Sequence, residues 1–227
     1  MLPLRDENPT KTYPAVTVTL IGVNVLVFLY ELALGHRVND FLSAFGAVPY
    51  EITHRVDLPP TSGLPVQLNL FTSMFLHAGW IHLLGNMLYL WIFGNNVEDS
   101  MGHWRFLIFY ILCGLVAGLG QVFINPQSKI PSVGASGAIA GVLGGYILLY
   151  PFARVLTLVP LGFFIRIIPL PAILVLGMWI VLQFFQGLAS LSVRETGGVA
   201  WFAHIGGFIA GLGLIKIFSH KRQRGWY

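Results

Sequence analysis

Six stretches of this chain are too apolar and too long to be covered by an ordinary soluble fold: residues 14–34, 80–97, 104–124, 136–150, 171–191 and 200–218. A helix crossing the hydrocarbon core of a bilayer needs about 20 mostly apolar residues. Inside that core the backbone has no water to bond, so each stretch must satisfy its own amides, as a helix does. Composition agrees: only 10% of the residues are charged, against about 25% in soluble domains, and mean hydropathy is +0.74. The expected fold class is all-α, a polytopic membrane protein with six transmembrane helices. Residues 1–13 read as a polar cytoplasmic segment, 14–218 as the membrane domain and 219–227 as a basic cytoplasmic tail. The first run is too long for the apolar core of a signal peptide, about 7–15 residues, and is expected to stay as a span. The first loop, 35–79, is long and mixed, with Pro49, Pro59, Pro60 and Pro65, and part of it is expected in the membrane interface. The other connections read as short.

The formal charge of +4 is carried by Lys and Arg scattered between the apolar runs. That distribution suits anchoring at anionic lipid headgroups and not a nucleic-acid surface. With six spans, Arg37, Arg55, Lys129 and Arg194 fall on one side of the membrane. The other nine of the thirteen basic residues share the side of the two termini. The excess places both termini in the cytoplasm. The single cysteine, Cys113, excludes an intrachain disulfide.

The fourth run is short. Between Ser136 and Pro151 it extends about 22 Å, against a hydrocarbon thickness of about 30 Å. Ser136 is therefore expected below the outer membrane surface, with the segment Asn125–Ala135 dipping in to reach it. Irregular backbone at that depth needs burial in protein or a wet cavity. The chain thus implies a water-filled pocket, open to the outside, that holds a serine.

Ser136, in Gly134-Ala135-Ser136-Gly137, has the ordinary reading of a helix cap. Its depth and companions favour a nucleophile, and the helix N-terminus offers free N–H groups to an oxyanion. His204 lies within an apolar helix, in Ala203-His204-Ile205-Gly206-Gly207. An ionisable group there is either functional or a hydrogen-bonded structural histidine. Gly207 and Gly211 follow His204 on one face, and Gly137, Gly141 and Gly144 follow Ser136. Small residues at these spacings let two helices approach closely, which supplies the proximity a nucleophile and base require. His82 and Asn86, four residues apart on the second helix, suit a metal half-site, interhelical glue or oxyanion donors.

Several chemistries are excluded. There is no H-E-x-x-H zinc motif, and no pair of membrane-embedded aspartates. Of the nine acids, Glu195 alone lies beyond residue 99, in a loop, and Glu31 near the end of the first helix has no motif companion. A Ser136–His204 dyad without a carboxylate is the natural reading, and Glu98 reads as an anchor for the turn between the second and third helices.

These residues resemble the rhomboid family of intramembrane serine proteases. Gly134-Ala135-Ser136-Gly137 is similar to the family's nucleophile motif. The stretch from Ala203 to Gly207, with Gly211, resembles its base helix, and His82-Leu83-Leu84-Gly85-Asn86 its oxyanion helix. Val97-Glu98-Asp99 with Gly102 and Arg105 resembles its cytoplasmic turn. The resemblance implies a six-helix rhomboid-like bundle that cleaves single-pass membrane proteins in or near their transmembrane segments. It implies Ser136 as nucleophile, His204 as base, and His82, Asn86 and the Ser136 N–H as oxyanion donors. It implies no metal or organic cofactor, and a lateral gate and cap formed by the fifth helix and residues 191–199. Four positions depart from the family pattern. Leu68-Asn69 stands where a Trp-Arg pair is common, and Gly85 where a bulky gate residue is found. Ala140 replaces a tyrosine that stacks on the histidine, so His204 is expected to be oriented differently. Two rival classes are a non-catalytic rhomboid-like membrane chaperone, disfavoured by the presence of both Ser136 and His204, and a small transporter or channel, disfavoured by the lack of an inverted repeat.

Overall fold

Each apolar run forms a helix in the computed structural model of the protein, which describes residues 1–162, 164–191 and 199–219. Helix α1 is Ala15–Ala33. The first loop then holds three short helices, α2 (Val38–Phe45), α3 (Pro49–His54) and α4 (Asn69–Thr72). Beyond it come α5 (Trp80–Met101), α6 (His103–Ile124), α7 (Ser136–Leu149), α8 (Ala172–Ser190) and α9 (Trp201–Phe218). Four of these, α1, α6, α8 and α9, are long and apolar enough to cross a membrane, with mean hydropathies between 1.6 and 2.3. The expected count of six is met in helices but not in qualifying spans. Helix α5 carries His82, Asn86, Asn95, Asn96, Glu98 and Asp99, and α7 has only 14 residues. The bundle is apolar on its outside: Leu26, Phe123, Ile209 and Ile217 are all more than half exposed, as a lipid-facing surface requires.

The all-α expectation needs correction. A three-stranded antiparallel sheet, in the order β1-β2-β3, joins β1 (Leu2–Asp6) to a hairpin of β2 (Arg154–Leu161) and β3 (Phe164–Pro171). The hairpin occupies what reads as a short connection between the fourth and fifth runs, and β1 occupies the supposedly plain N-terminal segment. Val155, Thr157 and Val159 alternate with more exposed neighbours, the period-2 pattern of a half-buried strand. Gly162, at φ +62°, lies between the two strands. Strand β1 is tied to the bundle through Asp6, whose carboxylate accepts bonds from Asn96 Nδ2 and Tyr146 Oη, each 2.8 Å. The basic tail lies outside the described residues except for Ser219.

Helix α7 is the axis of the packing. Every residue from Gly137 to Tyr146 is buried, consistent with a sequence that is apolar all round. The glycines act as the small-residue argument requires, but toward two neighbours. A Cβ on Gly207 or Gly211 would collide with the carbonyl oxygens of Gly137 and Gly141, and one on Gly144 would collide with that of Phe208. A Cβ on Gly137 or Gly141 would instead strike Ala117 or Cys113 of α6. So α7 and α9 touch backbone to backbone while α6 closes over the other side.

Glu98 is wholly buried, and its role is wider than an anchor for the α5–α6 turn. Its carboxylate accepts bonds from the Val16 and Thr17 amides, at 2.9 and 2.8 Å, and from Thr17 Oγ1 at 2.7 Å. His103 Nδ1 lies 2.5 Å from the same carboxylate. An acid at the free N–H groups of a helix start is favoured by both hydrogen bonding and the helix dipole. Glu98 thus fastens α1 to the α5–α6 corner.

Candidate active site

Ser136 is the first residue of α7, whose opening N–H groups have no acceptor within the helix. The segment before it is irregular, as expected, and the first loop satisfies it. Tyr50 donates to the Ser128 carbonyl at 2.8 Å, Ala47 and Ser132 form a bridge, and Gly134 donates to the Ser73 carbonyl at 2.8 Å. Gly134 has φ +123°, a backbone shape that side chains disfavour. Its bare Cα is also required by space, because a Cβ there would sit 2.6 Å from His82 Nε2 and 3.6 Å from Asn86 Nδ2. Both α5 side chains therefore point at the backbone two residues before Ser136.

One turn of α9 brings His204 to the same place. His204 Nε2 lies 2.8 Å from Ser136 Oγ, a normal hydrogen-bond length. The backbone contact of Gly207 with Gly137 lies one turn further along α9, so the small-residue faces set this distance. The other ring nitrogen, Nδ1, is 2.6 Å from Gln183 Oε1 on α8. Trp179 and Trp201 flank the imidazole with centroid distances of 5.8 and 6.1 Å. His204 and Gln183 are both buried, at 8% and 7% exposure.

Asn86 Nδ2 is buried and has no acceptor among the described residues. A buried amide donor without a partner is costly, and here it lies beside the serine at the wall of a cavity. That cavity, about 970 Å³, is lined by Ser136, His204, His82, Asn86, Gly85, Tyr89 and Trp179, among others. It can admit an extended peptide segment and water. Ser132 adds a further polar residue to the lining, and the remainder of the wall is largely apolar. Among the described residues, no three His, Cys, Asp or Glu side chains converge as metal ligands.

All the expected site residues thus converge, Ser136, His204, His82 and Asn86, and Gly137, Gly141, Gly207 and Gly211 hold two of the helices together. Two further residues were not anticipated. Gln183 could have been flagged as an uncharged polar side chain in the apolar run Trp179-Ile180-Val181-Leu182-Gln183-Phe184. His77, 1% exposed, packs edge-on against His82 at 5.1 Å, and neither of its ring nitrogens has a hydrogen-bond partner among the described residues. Burial, with a smaller contribution from His82, pushes its pKa down to about 4. Its backbone N–H donates to the buried Glu31 carboxylate at 3.1 Å, so Glu31, expected to stand apart, braces the entry to α5. Glu195 and most of the expected cap, 192–198, lie outside the described residues.

The sequence model of the family described as "Rhomboid domain" matches residues 66–221, which include α5 to α9 and every residue of this site. The chain belongs to the rhomboid family. This rhomboid is 32% identical over 219 residues to "Rhomboid protease GluP" of Bacillus subtilis, covering 92% of this chain and 38% of that protein. It is 29% identical to "Rhomboid protein 1, mitochondrial" of Saccharomyces cerevisiae over 94% of this chain and 58% of the relative. It is also 29% identical to "Rhomboid-like protein 11, chloroplastic" of Arabidopsis thaliana, over 68% and 54% respectively. The chain therefore spans between 38% and 58% of the length of these relatives. Family and helices together make it a membrane protein.

Proposed function

We propose that this rhomboid is an intramembrane serine endopeptidase in which Ser136 and His204 form the catalytic dyad. The observation that carries the reading is the 2.8 Å approach of His204 Nε2 to Ser136 Oγ beside an unpaired amide donor, Asn86 Nδ2. A nucleophile, a base and a vacant donor within one cavity are the parts acyl transfer needs.

In the proposed reaction His204 takes the Ser136 hydroxyl proton as Oγ attacks the scissile carbonyl. The carbonyl oxygen becomes an oxyanion and meets Asn86 Nδ2, His82 and the Ser136 N–H. Collapse breaks the C–N bond, and the imidazolium returns its proton to the departing amine. Water then enters with His204 again as base, splits the ester and frees Ser136. The proposed substrates are single-pass membrane proteins. Their helices must unwind to expose a peptide bond, which small or helix-breaking residues near the cut make easier. Gly85, Tyr89 and Trp179 line the cavity between α5 and α8, which supports lateral entry there.

The proposed setting is a cell membrane crossed six times, α5 and the short α7 included, with residues 1–13 and 219–227 on the cytoplasmic side. The test is cleavage of a reconstituted single-pass substrate by the purified full chain. Ser136→Ala and His204→Ala should each abolish it, and the double variant should be no worse than either alone. Cleavage at a normal rate by Ser136→Ala, prepared free of host protease, refutes the assignment.

A further inference from the structure

We infer that Gln183 is a positioning residue that sets the tautomer of His204, taking the part an acidic side chain plays in a soluble triad. The inference deepens the proposed dyad and rests on it. A neutral imidazole carries one proton, on Nδ1 or on Nε2. His204 can receive the Ser136 proton only if Nε2 is bare, which requires the proton on Nδ1. The atom facing Nδ1 is the amide oxygen of Gln183, at 2.6 Å, and an amide oxygen can only accept. With the amide nitrogen turned inward instead, Nδ1 would accept, Nε2 would carry the proton, and Ser136 Oγ would face a donor.

The surroundings make this acceptor hard to replace. Gln183 and His204 are buried, and Trp179, one turn before Gln183 on α8, lies against the imidazole ring. Helix α8 therefore supplies both the ring contact and the Nδ1 acceptor from one face, at positions four residues apart. Position 140 of α7 is alanine and offers no ring to His204, so α8 provides that orientation. A neutral amide also suits an apolar helix better than a carboxylate, because no charge must be desolvated there. When His204 becomes an imidazolium, the Nδ1–H bond to Gln183 persists, so the ring keeps its aim through the proton transfer.

Gln183→Met keeps length and volume but removes the acceptor, whereas Gln183→Glu restores an oxygen at the same reach. Three measurements on the full chain in detergent test the inference: kcat and KM on a reconstituted single-pass substrate, the rate of Ser136 labelling by a fluorophosphonate, and ¹⁵N NMR of histidine-labelled protein with His204→Ala for assignment. Gln183→Met should lower kcat and the labelling rate about 10–100-fold, less than the roughly 10⁴-fold loss when the wrong tautomer is enforced. KM should stay within about twofold, and Gln183→Glu should recover most of the rate. The NMR spectrum of the unmodified chain should show His204 protonated at Nδ1. Wild-type kcat in Gln183→Met, equal impairment in Met and Glu variants, or a proton on Nε2 of His204 overturns the inference. Absence of both cleavage and labelling in the unmodified chain overturns the protease reading instead, while the tautomer measurement still decides the role of Gln183.

Discussion

Gly207→Ala adds one methyl group, and its effect can be worked from the structure. The new Cβ would overlap the Gly137 carbonyl oxygen and approach Ala117 Cβ to 3.3 Å. Carbon and carbonyl oxygen settle at about 3.3–3.6 Å, so α7 and α9 must part by roughly 1 Å. His204 is one turn from the clash, and a 1 Å shift would stretch its 2.8 Å bond to Ser136 beyond hydrogen-bonding range. Displacements of about that size cost on the order of 10²-fold in rate. Stability should fall as well. Alanine in a helix interior gains about 1 kcal/mol over glycine, but overpacking costs about 1–3 kcal/mol, leaving a net loss of up to about 2 kcal/mol. Gly213, also on α9, is the control: a Cβ there meets nothing within 4 Å, so Gly213→Ala has the helix gain without the clash. Thermal unfolding in detergent and kcat on a reconstituted substrate would be measured for both variants. If Gly207→Ala matches Gly213→Ala in melting temperature and kcat, the backbone contact does not set the site geometry and the reasoning fails.

Asn86→Ala should lower kcat by about 10²–10³-fold with little change in stability, as loss of one oxyanion donor does; an unchanged kcat in a folded variant would remove Asn86 from the site. Acid should destabilise the protein through His77. Its pKa is about 4 when folded and near 6.5 otherwise, so below pH 6.5 the unfolded chain binds a proton that the native state does not. Stability should then decline as pH falls from 6.5 toward 4, by up to about 3 kcal/mol. Unfolding of His77→Leu followed over the same range should show a correspondingly flatter profile, and a slope equal to wild type would refute this assignment. Glu98→Gln should lower the melting temperature while leaving kcat within about twofold, because the lost charge-assisted bonds, about 1–3 kcal/mol, lie at the start of α1 and not in the cavity. A kcat loss at unchanged melting temperature would show that Glu98 acts on the site instead.

Hydropathy alone located all six long helices to within a few residues of their observed ends, α5 excepted, which continues to Met101. It could do so because a run that must satisfy its own backbone in hydrocarbon has essentially one local answer. Ser136 and the expected irregular segment before it were legible for a related reason, since the missing length of α7 is itself a local property. The sheet was not. Its strands have eight residues or fewer, and each becomes a strand only by pairing with partners, one of them about 150 positions away at Leu2↔Leu158. Val155-Leu156-Thr157-Leu158-Val159 is apolar at four of its five positions, with no period-2 alternation of polarity, so nothing local separates it from a membrane-facing connection.

What the chain settles by itself is which long apolar segments are helical, where α7 begins, and which polar side chains sit among apolar neighbours; the short helices α2 to α4 of the first loop were not legible. What it leaves to the tertiary structure is the rotation of each helix about its own axis. In water an amphipathic stripe reports that rotation, but here the lipid and the core are both apolar, so α7 and α9 carry no such stripe. Close backbone contact of Gly207 and Gly211 with α7 resolves it for α9 and sets Ser136 against His204. Packing of α8 through Trp179 resolves it for Gln183. The glycine spacing announced the first pairing, because close approach demands small residues at regular intervals. The second rests on one hydrogen bond between helices, and no sequence interval encodes such a bond.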